Sequence, residues 1–324
     1  MEEIVEAKII KGTWFEFEHH STIEGTYWND SLYQFSEANW RNKIKEIKEL
    51  GMEYIVLLAS SLNNEAYFNS TVYPKSKHKT TNLIETLLDE AEKLELKVFL
   101  SAGYYGKWQN PYNNMIDESV TKRAFTAIKE LYEKFNSYKS FYGWYLPDET
   151  AINPYFQEAF INYVNKYSDY FKILDKTKKV LIAPYGTRLL STDEYFINQL
   201  KNLKVDFIAY QDEVGVEKST TEETGEFYRK LKIAHDKANG PALWADVELF
   251  EFEGEVYNSP LLPASFERVS KQLEQVSPYV ETILVYQYIG LMNKDNSNII
   301  LGNKEKSVKL YNDYKKFLNN FKIR

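Results

Sequence analysis

Eight times along the chain, a short run rich in β-branched and aromatic residues gives way to a longer segment with apolar residues at i, i+3 and i+4. The strand-type runs fall at 7–17, 53–59, 97–103, 142–146, 179–184, 205–211, 241–248 and 282–288. The helical segments between and after them fall at 36–50, 82–94, 118–135, 154–171, 193–203, 222–238, 265–276 and 305–321. Ser36 reads as an N-cap, Gly51 as the stop of the same helix, and Asn153-Pro154 as the start of the fourth. The strand runs are apolar on both faces, as parallel strands covered by helices must be. Eight such units in 324 residues predict one α/β domain over 1–324, a (β/α)8 barrel. A doubly wound open sheet is the alternative, but no Gly-x-Gly-x-x-Gly follows the first strand. No Ser/Pro-rich linker or shift in composition marks a second domain.

The connections after helices are short, whereas those after strands are long, notably 17–35, 60–80, 104–117 and 250–262. In a barrel the post-strand loops build the active face. Function is therefore expected at the carboxyl ends of the strands.

Two strand runs end on a glutamate: Phe141-Tyr-Gly-Trp-Tyr-Leu-Pro-Asp-Glu149 and Ala242-Leu-Trp-Ala-Asp-Val-Glu248. A carboxylate at the end of a buried strand is costly to desolvate unless it lines a cleft. Glu149 could instead be an acidic residue placed before a helix N-terminus, where the dipole favours it. Glu248 could be the first member of an acidic surface run, a description that suits Glu251, Glu253 and Glu255. Against these readings, strands four and seven face each other across a closed barrel. Carboxylates at their ends can converge on a glycosidic bond, one as acid and one as nucleophile or base. Trp144 and Tyr145 offer an apolar wall that would raise the pKa of Glu149. Asp148 should point away from Glu149 if the strand persists, and Asp246 should lie inside the barrel.

The placement of Glu149 and Glu248 resembles the superfamily of retaining (β/α)8 glycoside hydrolases. That resemblance implies an acid/base at Glu149 and a nucleophile at Glu248. Asp148 stands where those enzymes usually carry an asparagine. More closely, Gly143-Trp-Tyr-Leu-Pro-Asp-Glu149, Tyr210-Gln-Asp-Glu-Val-Gly215 and Trp244-Ala-Asp-Val-Glu-Leu-Phe250 resemble a bacterial barrel family, domain of unknown function family 4434. The likeness spans nearly the whole chain and implies the barrel fold and sugar chemistry.

Carbohydrate sites pair carboxylates and amides with hydroxyls, and aromatic faces with the ring C–H groups. The candidates for substrate binding are Glu16, Trp14, Tyr104, Trp108, Asp148, Tyr185, Gln211, Asp212, Trp244, Tyr286 and Gln287. Each tryptophan has core packing as its plainer role, and Trp108 is the one expected to be exposed.

Other chemistries lack their equipment. Cysteine is absent, the four histidines form neither His-x-His nor His-Glu-x-x-His, and no metal or other cofactor is expected. His19 and His20 would point to opposite faces of an extended chain. Gly-x-Ser-x-Gly is missing, as is a phosphate-binding glycine loop after strand seven or eight. A net charge of -7 gives no attraction for nucleic acid. No run reaches the roughly 18 apolar residues of a membrane span. Met1-Glu-Glu-Ile-Val-Glu has no signal-peptide character, so the chain is read as cytoplasmic or as exported with its signal outside this sequence. Two other functions compete with hydrolysis: a silent carbohydrate-binding barrel, and a lyase or isomerase using one glutamate as base. Oligomeric state is left open.

Overall fold

A computed structural model describes residues 7–322; Met1–Glu6, the segment read for a signal peptide, and residues 323–324 lie outside them. Eight parallel strands close into a barrel in sequence order: β1 (Gly12–Phe15), β2 (Tyr54–Leu57), β3 (Lys97–Ser101), β4 (Phe141–Leu146), β5 (Lys179–Ile182), β6 (Phe207–Gln211), β7 (Ala242–Glu248) and β8 (Thr282–Tyr286). β8 pairs back onto β1 through Gly12↔Leu284 and Thr13↔Val285. Around them run α1 (Glu37–Glu49), α2 (Leu83–Lys93), α3 (Glu118–Phe135), α4 (Glu158–Leu174), α5 (Glu194–Asn202), α6 (Thr221–Ala238), α7 (Phe266–Val276) and α8 (Lys304–Lys322). The single α/β barrel expected from the alternation is the fold.

The helix ends follow local chemistry. Ser36 and Asn39 close a reciprocal capping box at α1, and Gly51 takes φ +78° beyond its end. Asp117, Asp193 and Ser265 cap α3, α5 and α7 through their side-chain oxygens.

Two expectations are corrected. Helix α4 starts at Glu158 rather than at Pro154. The Phe156 N–H donates to Gln199 Oε1 at 3.0 Å, and the Phe156 carbonyl accepts from Gln199 Nε2 at 2.8 Å. This pinning to α5 holds the segment extended beyond the proline. The first strand is shorter than 7–17, because the Ile10 N–H is spent on the Tyr314 hydroxyl of α8, at 2.9 Å, rather than on a strand. The long loops also carry structure of their own: short helices at Asn29–Tyr33 and Pro111–Ile116, and an antiparallel hairpin of Phe250–Phe252 with Leu261–Pro263.

Two apolar layers result. The outer layer packs helices on the outward strand faces; the inner cluster fills the barrel with Trp14, Val56, Leu58, Phe99, Tyr145, Leu181, Ala183, Ala209, Trp244 and Leu284. Alternation along β7 puts Trp244 in this interior, and Asp246 and Glu248 on the same face above it.

Candidate active site

Above the inner cluster, at the carboxyl ends of the strands, lies a cleft of about 450 Å³. Of the residues singled out from the sequence, Trp14, Tyr104, Trp108, Glu149, Tyr185, Gln211, Glu248 and Tyr286 line it. Glu16, Asp148, Asp212, Trp244 and Gln287 do not, and most of these stand immediately behind residues that do.

Glu149, partly exposed to the cleft, accepts from Tyr145 Oη at 2.7 Å and from Gln211 Nε2 at 2.7 Å. Tyr145 comes from β4 and Gln211 closes β6, so two strands orient this carboxyl. Burial pushes its pKa up to about 7, with the two donors acting in the opposite direction and Asp148 adding a smaller upward push. Asp148 itself turns away, accepting from Asn114 Nδ2 at 2.7 Å with Tyr163 Oη at 3.5 Å. It is a buried support for the strand end, raised by burial to about 7.

Glu248 is buried at the end of β7, and its Oε2 accepts from the Val216 N–H at 3.0 Å. The loop after β6 comes close enough only because residue 215 is glycine: a Cβ there would meet the Phe250 carbonyl at 2.7 Å and Glu248 Oε2 at 2.9 Å. Asp212 fixes the main chain below. Its Oδ1 accepts from the Glu248 N–H at 3.2 Å, and its Oδ2 from Gln272 Nε2 at 2.6 Å. Arg268 Nη2 donates to the carbonyls of Glu248 (2.8 Å) and Phe250 (2.7 Å). Burial first, and then the charge of Asp212, hold the Glu248 carboxyl above the ordinary glutamate range.

A second chain of contacts positions Tyr286, whose hydroxyl lies 3.2 Å from His19 Nε2 and 3.5 Å from Glu16 Oε2. Glu16 also accepts from Trp28 Nε1 at 3.0 Å, and burial pushes it up to about 8. Trp244 lies in the barrel interior, stacked on Phe207 at a centroid distance of 4.2 Å.

The cleft also contains residues that sequence reasoning did not select for the site: His20, Glu24, Glu213, Lys218, Asp246 and Tyr257. Lys218 Nζ sits 5.3 Å from the Tyr185 ring and 5.4 Å from the Tyr257 ring, and 4.0 Å from Glu213. For Asp246 a signal existed, its two-residue spacing from Glu248. For the rest there was none, because loop residues carry no periodicity.

His19, His20 and Glu24 bring three potential ligand atoms within 4.8 Å of one another. The two rings do not diverge as an extended chain would place them. They stack at 4.5 Å with 22° between planes. His19 Nδ1 is engaged with Ser21, and Glu24 is 3.8 Å from His19 Nε2. Burial holds both imidazoles below their ordinary pKa, His20 to about 4, and raises Glu24 to about 7.

Fold and cleft together define a (β/α)8 barrel with an acidic cleft at the carboxyl ends of its strands. The chain belongs to the family described as domain of unknown function DUF4434, whose model matches residues 10–298. Its fold is similar to that of a putative α-L-fucosidase from Bacteroides thetaiotaomicron, with a TM-score of 0.76 and 17% identity over 97% of this chain and 94% of that one. It is also similar to endo-β-1,4-mannanases. The one from Thermotoga petrophila gives a TM-score of 0.63 and 12% identity over 99% of this chain and 78% of that one. The one from Rhizomucor miehei gives 0.60 and 12% over 96% and 95%. No curated protein matches the sequence.

Proposed function

We propose that the chain hydrolyses O-glycosidic bonds by a retaining double displacement, with Glu149 as acid/base and Glu248 as nucleophile. The observation that carries this reading is that these two carboxyls, from β4 and β7, line one cleft in different hydrogen-bond settings. Two side-chain donors orient Glu149, and its raised pKa keeps a proton available near neutrality for the departing glycosidic oxygen. Glu248 meets a main-chain N–H, which favours its ionised form and its attack on the anomeric carbon. That attack forms a glycosyl ester and expels the alcohol protonated by Glu149. Glu149, now ionised, takes a proton from water, which then cleaves the ester. Trp14, Tyr104, Trp108 and Tyr185 offer aromatic surface to the ring, a feature common in sugar sites.

The test is the effect of Glu149→Gln and Glu248→Gln on any aryl glycoside that the wild type cleaves, with product anomer followed by NMR. Retention of configuration and loss of turnover in both variants are expected. Full activity in either variant would overturn the assignment. One observation favours a second reading, a barrel that binds glycans without cleaving them: Glu248 is raised by burial and by Asp212, which opposes the ionised form a nucleophile needs. On that reading the Gln variants bind sugar as the wild type does, and no glycoside is turned over.

A further inference from the structure

The inner face of β7 carries Asp246 one step below Glu248, at the floor of the cleft. Asp246 is 3% exposed, and its Oδ1 is sealed from solvent with no hydrogen-bond partner. Burying a carboxyl oxygen without a donor is destabilising, so such groups are uncommon unless something else occupies the position.

The donors around it are committed elsewhere. Gln211, its register partner on β6, donates its amide to Glu149 Oε2 (2.7 Å) and to the Ala183 carbonyl (3.0 Å). Its partner on β8 is Leu284, which has no polar side chain. The Tyr145 hydroxyl donates to Glu149, the Tyr104 hydroxyl to the Pro147 carbonyl, and the Tyr286 hydroxyl is engaged with His19 and Glu16. Trp244, two residues earlier on the same face, leaves its own indole N–H unpaired. The amide of Gln211 and the hydroxyls of Tyr145, Tyr104 and Tyr286 are thus all engaged with other groups.

We propose that Asp246 is a further substrate-binding residue, which takes a hydroxyl group of the sugar ring seated between Glu149 and Glu248. A hydroxyl fits because it both donates and accepts, and so pairs with a carboxyl in either protonation state. Burial and the charges of Glu248, Glu149 and Asp212 raise the pKa of Asp246 well above the usual carboxylate range, which favours the neutral acid. A neutral acid on the floor can hold a ring hydroxyl without adding a third negative charge beside the catalytic pair. The inference deepens the glycosidase reading and rests on it for the class of ligand.

The experiment compares wild type, Asp246→Ala and Asp246→Asn, each also combined with Glu149→Gln. The probes are 4-nitrophenyl glycosides of glucose, galactose, mannose and fucose in both anomers. Hydrolysis gives kcat/KM, saturation-transfer NMR gives binding to the Glu149→Gln background, and thermal melts report stability. Asp246→Ala is expected to lower kcat/KM, and binding in the Glu149→Gln background, on the order of 10–100-fold. Asp246→Asn should keep a larger share, because the amide retains a donor and an acceptor. Neither variant should melt below wild type, since each removes an unpaired buried carboxyl. Against the deoxy-sugar lacking the contacted hydroxyl, Asp246→Ala should cost nothing further.

Turnover and binding within twofold of wild type for Asp246→Ala would overturn the proposal and leave the catalytic pair untouched. A fall in melting temperature with unchanged binding would also overturn it, by making Asp246 structural. If the wild type hydrolyses no glycoside, the hydrolytic reading fails. Loss of glycoside binding on Asp246→Ala would then still support the contact, and absence of glycoside binding to Glu149→Gln would overturn it.

Discussion

The two ends of the barrel hold similar residue types in opposite electrostatic arrangements. At the amino end, Lys97 lies 5.0 and 5.2 Å from the rings of Tyr54 and Tyr142, Lys179 pairs with Asp206 at 2.8 Å, and Lys11 with Glu53 at 2.6 Å. At the carboxyl end, Glu24, Glu149, Glu213, Asp246 and Glu248 share the cleft with one ammonium group, Lys218. Aromatic packing closes the amino end, where Trp244 stacks on Phe207 and meets the Tyr54 ring at a tilt. The carboxyl end is left open and acidic. A fold needs charges paired, and the acidic excess at the carboxyl end is what supports the proposal that this end serves a ligand.

The comparison breaks most sharply on the two glutamates. Glu149→Gln and Glu248→Gln should each lower kcat/KM about a thousandfold or more with the melting temperature kept. Lys97→Met, at the opposite end, should leave turnover unchanged. Comparable losses from both ends would mean that activity tracks fold integrity, not the cleft.

Gly215→Ala tests the approach of the β6 loop to Glu248. The added methyl group collides with the Phe250 carbonyl and the Glu248 carboxyl. We expect kcat/KM to drop on the order of 10–100-fold, as for other displacements of a reacting group by about 1 Å. Stability should change little by comparison, and wild-type kinetics in this variant would show that the carboxyl is not held through this loop.

The pH dependence of stability separates the two ends next. Glu16 is raised to about 8 and Glu24, Asp148 and Glu149 to about 7, all chiefly by burial. Between the unfolded values near 4 and these folded values, the native state binds more protons than the unfolded chain. Stability is then greatest at the acid side of this window and falls as pH rises through it. Thermal melts should drop by several degrees between pH 5 and pH 8, and Glu16→Gln should flatten the curve. A melting temperature that climbs over this interval would contradict the burial of these groups as neutral acids. Activity should run the other way on its acid limb: a raised Glu248 pKa moves the fall in kcat/KM towards neutrality, well above the usual glutamate range.

The smallest effect is expected at the amino end. Asp206→Ala removes a pair in which Lys179 is 41% and Asp206 22% exposed, together with a bond to the Val180 N–H at 2.9 Å. Solvent screening limits the loss to about 1 kcal/mol in chemical denaturation, with kcat unchanged.

Much of the fold was legible because its signals are local. Helix α3 occupies 118–135 as its periodicity predicts, and Ser36 caps α1 by a bond to a residue three positions away. The fourth helix was misplaced because its start depends on Gln199, more than forty residues distant, which no local pattern records. The candidate site divides in the same way. Strand ends could be named in advance, so Glu149 and Glu248 were visible as a pair. Whether a polar side chain at such an end lines the cleft or supports it depended on partners elsewhere in the chain: Asn114 for Asp148, Gln272 for Asp212, Trp28 for Glu16.

By itself, then, the sequence determined the eight strand–helix units, their closure into a barrel and the strands that end on carboxylates. These follow from the alternation of a two-residue and a 3.6-residue period, which each segment carries alone. The tertiary structure decided which carboxyls meet in one cleft, that Asp148 and Asp212 stand behind it, and that Asp246 is left without a donor on its floor. The reason is physical: the direction of a side chain at a strand end, and its protonation, are set by which distant groups supply hydrogen bonds or exclude water.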